Sequence, residues 1–266
     1  MSELETVVVD RPMPGVLRVA LARGTAFNTL TFELLADLAA ALETARREGA
    51  RVVVVTGSDG VFCGGAHVKY FTPADGRLRS SRAVTEDYVR PILEVFGRLQ
   101  TMPFATIAAI EGPALGGGLE LALACDFRVV AEDATIGLPE ARLGAIPAGG
   151  GLQLLAKIVG RAKALEMILL GDRMTGRAAA EIGLATEAVP AADLADAALK
   201  LAARLLKCSP IAVAAAKRAI FICETAGHRD ADAAALSELA EVASGPEWAE
   251  GMSAFVEKRR AAFVPA

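Results

Sequence analysis

Two carboxylates and a run of glycines in residues 114–143 are the groups of this chain best suited to catalysis. The glycine triplet at residues 116–118 is followed by Glu120 in the apolar run LELALA, and Glu140 stands in a Pro-Glu pair twenty residues later. Backbone N–H groups left open by a glycine turn can stabilise a developing oxyanion, and two acids can divide proton transfer between them. The pattern therefore indicates an enzyme that acts beside a carbonyl group.

Each of these groups also has a non-catalytic explanation. Glycines allow close packing of a helix on a strand, which is compatible with a donor role. Burying a free charge is unfavourable, so Glu120 among apolar neighbours needs a partner or a function. Glu140, taken alone, is equally consistent with a surface residue paired to Arg142. The segment GAIPAGGG at residues 144–151 lacks the Gly-Lys-Ser/Thr ending of a phosphate loop and is interpreted as a pocket wall and helix start.

The elements that must position these groups alternate along the chain. Strands are predicted at residues 6–9, 16–21, 51–56, 104–110 and 127–131, and helices at 31–49, 90–99, 119–125, 152–169, 191–207, 211–225 and 238–255. The run RVVVVT at residues 51–56 is typical of a strand covered on both faces. Strand and helix alternate over about the first 200 residues, and about the last 65 are nearly all helical. An α/β fold with a helical C-terminal region is expected.

Composition sets the class of protein. The chain has 266 residues, 53% of them hydrophobic, which is enough for one large domain or a domain with a helical appendage. A net charge of −4 argues against broad binding to nucleic acid or to an anionic membrane. No signal peptide and no apolar run of the ~18 residues needed for a membrane span is found, so a cytoplasmic protein is expected.

The cysteines and histidines do not suggest a metal site. Four cysteines form no CxxC pair, and two histidines complete too few ligands for zinc. The cysteines are expected to be buried or half-buried free thiols in a reducing cytosol. His228 is expected to be exposed in the C-terminal helical region.

Three segments in order carry a resemblance to a known family. They are VFCGGAHVKYF from residue 61, IEGPALGGGLELALACDFRVVAEDATIGLPEARLGAIPAGGG from residue 110, and EGMSAFVEKRRAAF from residue 250. Together they resemble the enoyl-CoA hydratase/isomerase family, the crotonases. The resemblance implies a crotonase-like spiral of repeated ββα units with the acyl-CoA site in residues 1–200. Residues 201–266 would be a helical trimerisation region, giving a homotrimer or a hexamer built as a dimer of trimers.

The resemblance also assigns roles within the site. It implies oxyanion donors at the backbone N–H groups of Ala66 and Gly117. Hydratases of the family carry two glutamates and many isomerases only the second, so Glu120 and Glu140 favour addition of water to the C2–C3 double bond of a 2-enoyl-CoA. Glu120 would orient and activate the water, and Glu140 would exchange the proton at C2. Contacts with CoA or substrate are implied for Ala26, Gly65, His67, Val68, Lys69, Gly116, Pro139, Phe255 and Lys258. No metal and no redox cofactor is expected, since coenzyme A is part of the substrate.

Several alternatives stay open at this level. The family commonly has Asp after the oxyanion alanine, where this chain has His67. We favour a structural hydrogen bond for His67 over a contact with the CoA adenine region or a new catalytic role. The basic group Arg77, Arg79 and Arg82 is interpreted as a solvated loop, with contact to a carboxylated acyl group as the alternative. Other crotonase reactions (isomerisation, hydrolysis, carbon–carbon cleavage, a specialised dehydration) and a non-catalytic acyl-CoA-binding subunit compete with hydration. No sequence feature indicates the length, branching or carboxylation of the acyl chain.

Overall fold

The computed structural model describes residues 4–224 and 226–263. The strands in these ranges are β1 (Val7–Met13), β2 (Val16–Leu21), β3 (Val52–Thr56), β4 (Ala105–Ile110), β5 (Pro113–Leu115), β6 (Phe127–Ala131), β7 (Thr135–Gly137), β8 (Arg173–Thr175) and β9 (Glu187–Val189). The α-helices are α1 (Phe32–Arg47), α2 (Arg90–Thr101), α3 (Gly117–Ala124), α4 (Gly151–Leu170), α5 (Gly176–Glu181), α6 (Leu194–Leu205), α7 (Pro210–Cys223), α8 (His228–Ser244) and α9 (Pro246–Val256). A π-helix covers Ala83–Val89, and 3₁₀ turns cover Gly24–Ala26, Val68–Phe71, Pro139–Leu143 and Ala191–Asp193.

The strands form two sheets, and from β4 to β7 successive strands along the chain alternate between them. The larger sheet has the order β1-β2-β3-β4-β6-β9 and is parallel apart from the β1–β2 hairpin. The smaller sheet has the order β5-β7-β8, and Cys63 joins it through a parallel bridge to Ala114. Each turn of the chain therefore adds one strand to each sheet, β4 then β5 and β6 then β7. The expected α/β spiral of ββα units is confirmed.

The larger sheet is covered on both faces. Val53 and Val55 of β3 pack with the side of the core that holds α1, α2 and α3, whereas Val52 and Val54 pack against α6. The double-sided strand predicted from RVVVVT is confirmed. Helix α1 begins where predicted, because the Thr31 hydroxyl accepts the Leu34 N–H at 3.2 Å. Its apolar face is fully buried, and each buried leucine contributes about 2 kcal/mol.

The C-terminal helices differ in detail from the sequence prediction. The helix predicted over residues 238–255 is wrong, because the chain turns at Gly245 and α9 begins with Pro246 at its first position. Helix α8 packs on α7, and α9 packs on α8. Helix α8 has no buried residue. Large apolar side chains left exposed on α8 and α9 are Leu236, Leu239, Trp248, Met252, Phe255 and Val256.

Surface features complete the comparison with the sequence. None of the helices within the described ranges is long and apolar enough to cross a membrane. His228 is exposed as expected, with 94% of its side chain accessible. All four cysteines are free; Cys63 and Cys125 are buried, but Cys208 and Cys223 are exposed. The expectation of burial is wrong for those two, because α6 and α7 end at the surface there.

Candidate active site

The glycine triplet lies at the N-terminus of α3, a helix whose eight residues are all buried. Gly116 adopts φ +54° and ψ −126°, and its N–H donates to Gly137 C=O on β7 at 2.9 Å. Gly116 C=O accepts the Glu120 N–H at 3.0 Å and so points along the helix. Because C=O and N–H point opposite ways across a trans peptide, the Gly117 N–H points out of the helix N-terminus, where it has no intrahelical partner.

The triplet also satisfies the packing requirement. A Cβ on Gly118 would lie 2.0 Å from Cys63 C=O, and one on Gly117 would lie 2.7 Å from the Leu30 side chain. Gly118 therefore excludes any larger residue, because its Cβ would meet backbone, whereas a Cβ on Gly117 would require the Leu30 side chain to move. The same three glycines therefore allow close packing and leave the Gly117 N–H open, as the sequence suggested.

The second donor lies beside the first. Leu30 N–H donates to Gly65 C=O at 2.8 Å, and this peptide carries the Ala66 N–H on its opposite side. A Cβ built on Gly65, which has φ +91°, would be 3.0 Å from the Gly117 nitrogen, and one on Gly117 would be 3.5 Å from the Ala66 nitrogen. The two peptides thus approach as an oxyanion hole requires.

Glu120 follows Gly117 by three positions, which places both on one side of α3. Its side chain is buried, and its Oε1 accepts the Gly151 N–H at the start of α4 at 2.8 Å. Burial raises the pKa of Glu120 to about 7; the Gly151 and Gly149 N–H groups oppose the rise, and the charge of Glu140 adds to it. A Cβ on Gly149 would lie 2.6 Å from Oε2, so this site excludes side chains there.

Glu140 lies in the 3₁₀ turn Pro139–Leu143, close to the helix N-terminus. Its Oε1 is 2.8 Å from the position of a Cβ on Gly116. Its Oε2 is buried and has no hydrogen-bond partner in the described part of the chain. Burial raises the pKa of this carboxyl as well. Arg142 bonds Leu170 C=O at 2.8 Å and pairs with Asp172, so the alternative surface pair with Glu140 is not formed.

His67 makes the structural hydrogen bond that the sequence analysis favoured. Its Nδ1 is 2.9 Å from the Thr29 hydroxyl, and its ring meets Tyr70 edge-on with centroids 4.5 Å apart. Partial burial, assisted by the charges of Lys69 and Arg23, lowers the pKa of the imidazole. A neutral ring with one hydrogen-bonded nitrogen results.

The remaining candidate binding residues fall into two groups. Ala26 ends a 3₁₀ turn, and a 2.7 Å bond from Gly64 N–H to Phe27 C=O ties this turn to residues 64–67, which we call the oxyanion loop. Val68 and Lys69 follow on the next 3₁₀ turn, with Val68 54% exposed. Gly65 and Gly116 lie next in sequence to Ala66 and Gly117, and Pro139 directly precedes Glu140.

Phe255 and Lys258 belong to a different part of the fold from these six residues. They stand at the end of α9, which packs on α8, and Phe255 is 84% exposed. Arg77, from the basic group, stacks over the Tyr70 ring at 4.7 Å and pairs with Asp75 at 3.2 Å. Its charge is therefore partly satisfied within its own loop.

Two features of the site were missed by sequence reasoning. Gly149 and Gly151 form the cradle of Glu120, although the signal, a second glycine triplet, was visible. Tyr88 lies in a polar segment with no periodicity, yet its hydroxyl donates to Leu30 C=O at 2.5 Å and accepts His67 N–H at 3.0 Å. No sequence pattern predicts these contacts of Tyr88. Among the described residues no group of three potential metal ligands occurs.

A spiral of ββα units, with the backbone nitrogens of Ala66 and Gly117 close together at the N-terminus of a buried helix, is characteristic of the crotonases. Residues 12–265 match the enoyl-CoA hydratase/isomerase family, and the chain belongs to that family. A mitochondrial protein of Arabidopsis thaliana named probable enoyl-CoA hydratase 2 is 36% identical, with 92% of this chain and 80% of that one covered.

Two further relatives extend the comparison. The 2,3-dehydroadipyl-CoA hydratase of Escherichia coli is 36% identical, with 97% of each chain covered. The crystal structure of an enoyl-CoA hydratase from Bacillus anthracis superposes with a TM-score of 0.89 at 34% identity, covering 98% of this chain and all of that one. The likeness therefore extends over the spiral and the C-terminal helices alike.

Proposed function

We propose that this enzyme is an enoyl-CoA hydratase that converts a 2-enoyl-CoA to a 3-hydroxyacyl-CoA. The carrying observation is the pair of carboxyl groups beside the N-terminus of α3. Glu120 is held by backbone N–H groups and has a pKa of about 7, and Glu140 has a buried oxygen with no hydrogen-bond partner among the described residues. Glu120 is fixed in place with a pKa near neutral pH, and Glu140 has an oxygen free to contact a ligand. Two such carboxyl groups suit the addition of the hydroxyl and the proton of water to two neighbouring carbons.

The proposed reaction follows from these positions. Ionised Glu120 takes a proton from water as its oxygen bonds to C3, and the C2–C3 π electrons move toward the thioester oxygen. The N–H groups of Ala66 and Gly117 stabilise the resulting enolate; losing one such donor raises the barrier by about 3 kcal/mol. Protonated Glu140 then gives its proton to C2 as the enolate collapses, and proton exchange with solvent returns Glu120 to its ionised form and Glu140 to its protonated form before the next turnover. The reverse sequence dehydrates a 3-hydroxyacyl-CoA through the same groups.

The rest of the assignment is proposed on the same basis. Ala26, Gly65, His67, Val68, Lys69, Gly116 and Pro139 would contact CoA or the acyl group. Exposed apolar side chains on α8 and α9 support a homotrimer or hexamer, in which Phe255 and Lys258 would reach CoA bound to a neighbouring subunit. Catalysis would need no metal and no redox cofactor, and the protein would be cytoplasmic.

A panel of 2-enoyl-CoAs of increasing chain length, one of them carrying a terminal carboxylate, tests the hydratase. Formation of 3-hydroxyacyl-CoA is expected for at least one, with Glu120→Gln and Glu140→Gln each losing at least a hundredfold in kcat while butyryl-CoA affinity is retained. Binding of butyryl-CoA without hydration of any member of the panel would refute the hydratase, and absence of isomerisation as well would favour a non-catalytic acyl-CoA-binding subunit.

Double-bond isomerisation is the second candidate, because Oε2 of Glu140, which has no hydrogen-bond partner within the described ranges, could carry a proton between two carbons by itself. An isomerase of this kind would convert a 3-enoyl-CoA to the 2-enoyl-CoA and would keep that activity in Glu120→Gln. A hydratase loses turnover in the same variant. The two outcomes therefore separate the candidates with one protein.

A further inference from the structure

The Tyr88 hydroxyl is a buried polar group that the proposed reaction does not use. Tyr88 is 1% exposed and lies near the end of the π-helix Ala83–Val89. Its oxygen accepts the His67 N–H at 3.0 Å and donates to Leu30 C=O at 2.5 Å. These two bonds connect the segment before α1 to the residue that directly follows Ala66.

The peptide groups on both sides of Ala66 are held by hydrogen bonds. Gly65 C=O, on the near side, is fixed by Leu30 N–H at 2.8 Å. His67 N–H, on the far side, is fixed by Tyr88. Holding both neighbouring peptide planes restricts both backbone dihedrals of Ala66, and with them the direction of its N–H. Leu30 supplies the reference point for both, since its N–H holds one plane and its C=O holds Tyr88.

The position of the hydroxyl is itself well defined. The Tyr88 ring lies edge-on to Phe32, Tyr70 and Phe71, with centroid separations of 5.6, 5.9 and 5.4 Å. Such a cluster leaves the ring little rotational freedom. The wider turn of a π-helix is common at functional sites, and here it carries the tyrosine that reaches the oxyanion loop.

We propose that Tyr88 is a positioning residue for the oxyanion hole, holding the Ala66 N–H toward the thioester oxygen through the Leu30–Tyr88–His67 link. This inference rests on the proposed oxyanion role of Ala66. Tyr88 touches no reacting atom; it acts by limiting the orientations of one donor. Misalignment of a catalytic group by about 1 Å can lower a rate a hundredfold. Tyr88 fixes only one of the two peptide groups that flank one donor, so its loss should have a smaller effect.

Tyr88→Phe removes the hydroxyl and keeps the ring in its cluster. We expect kcat for hydration of 2-butenoyl-CoA to fall about tenfold with KM changed less than about twofold, because the donor works mainly in the transition state. The second readout is the infrared C=O band of bound butyryl-CoA labelled with ¹³C at C1, which cannot be hydrated. In the wild type the band shifts to lower frequency on binding, and in Tyr88→Phe it should return part of the way toward that of free butyryl-CoA.

Tyr70→Phe is the matched control, since it removes a hydroxyl from the same aromatic cluster without touching the Leu30–Tyr88–His67 link. It should keep both the carbonyl shift and kcat. A wild-type carbonyl shift that is unchanged in Tyr88→Phe would refute the positioning role alone. Absence of any shift in the wild type would refute the oxyanion hole and this inference together. Hydrogen exchange needs no variant: the His67 amide of the wild type should exchange slowly, and exchange at the rate of an open loop would also overturn the proposal.

Discussion

Replacing Glu120 by Gln should abolish turnover and, at neutral pH, make the protein more stable. Glu120 is buried, and its pKa lies at about 7 rather than at its ordinary value of 4.5. A native state that binds this proton more tightly than the unfolded chain gains stability as the pH falls. The stability of the wild type therefore decreases as pH rises from 4.5 to about 7. Because Gln has no carboxyl group to titrate, Glu120→Gln should not show this decrease.

The magnitude follows from the pKa. At about 1.4 kcal/mol per pKa unit, a rise from 4.5 to about 7 corresponds to about 3 kcal/mol of unfolding free energy. The amide oxygen of Gln can keep the Gly151 bond, but its NH₂ group cannot accept the second N–H, from Gly149, which removes about 1 kcal/mol. Glu120→Gln should thus be about 1 kcal/mol less stable than the wild type below pH 4.5 and about 2 kcal/mol more stable at pH 8.

Urea unfolding at one protein concentration and several pH values between 4 and 8 measures this difference; the fixed concentration is needed because assembly shifts apparent stability. Glu94→Gln, on the exposed side of α2, controls for replacing a glutamate as such. A difference between Glu120→Gln and the wild type that stays constant over this range would show that the Glu120 carboxyl does not titrate as its burial requires.

Three further outcomes are expected from the same contacts. Gly116→Ala should lower kcat about a hundredfold, because its Cβ would lie 2.8 Å from Oε1 of Glu140 at a backbone φ of +54°; steady-state rates check this. Arg128→Met should lower the unfolding free energy by about 3 kcal/mol, since the buried guanidinium bonds three carbonyl oxygens; urea unfolding beside Arg47→Met, an exposed control, measures it. The hydration kcat/KM should fall as pH drops below about 7, where Glu120 becomes protonated, and a flat profile between pH 5 and 9 would contradict the proposed base.

Periodicity and caps predicted the elements that form from local signals. The capped helix from Thr31, the double-sided strand at Val52–Thr56 and the helix after the glycine triplet are each encoded within a few residues. Strands β5, β7, β8 and β9 were missed because each has three residues, too few for an alternating pattern. The break at Gly245 was missed because the apolar pattern continues across it, and only Pro246 marked a new helix.

The sequence predicted the candidate acids and the backbone donors of the first glycine triplet, but not the groups that hold Glu120 or Ala66 in place. Glu120 and Glu140 are recognisable as acids whatever their surroundings. The cradle of Glu120 consists of backbone N–H groups and empty space at Gly149 and Gly151, which sequence displays only as glycines. The Tyr88 contact depends on a chain separation of 58 residues to Leu30, and no local pattern reports such a pairing.

The pKa of Glu120 results from two opposed effects, and their balance suits a reversible addition of water. Burial favours the protonated acid, whereas the N–H of Gly151 at the N-terminus of α4 favours the carboxylate. With more exposure the group would stay ionised and could not return a proton during dehydration. Without the N–H bonds it would stay protonated at pH 7 and could not accept one from water. A pKa of about 7 makes both forms available, so Gly149 and Gly151 belong to the proposed acid–base machinery although neither has a side chain.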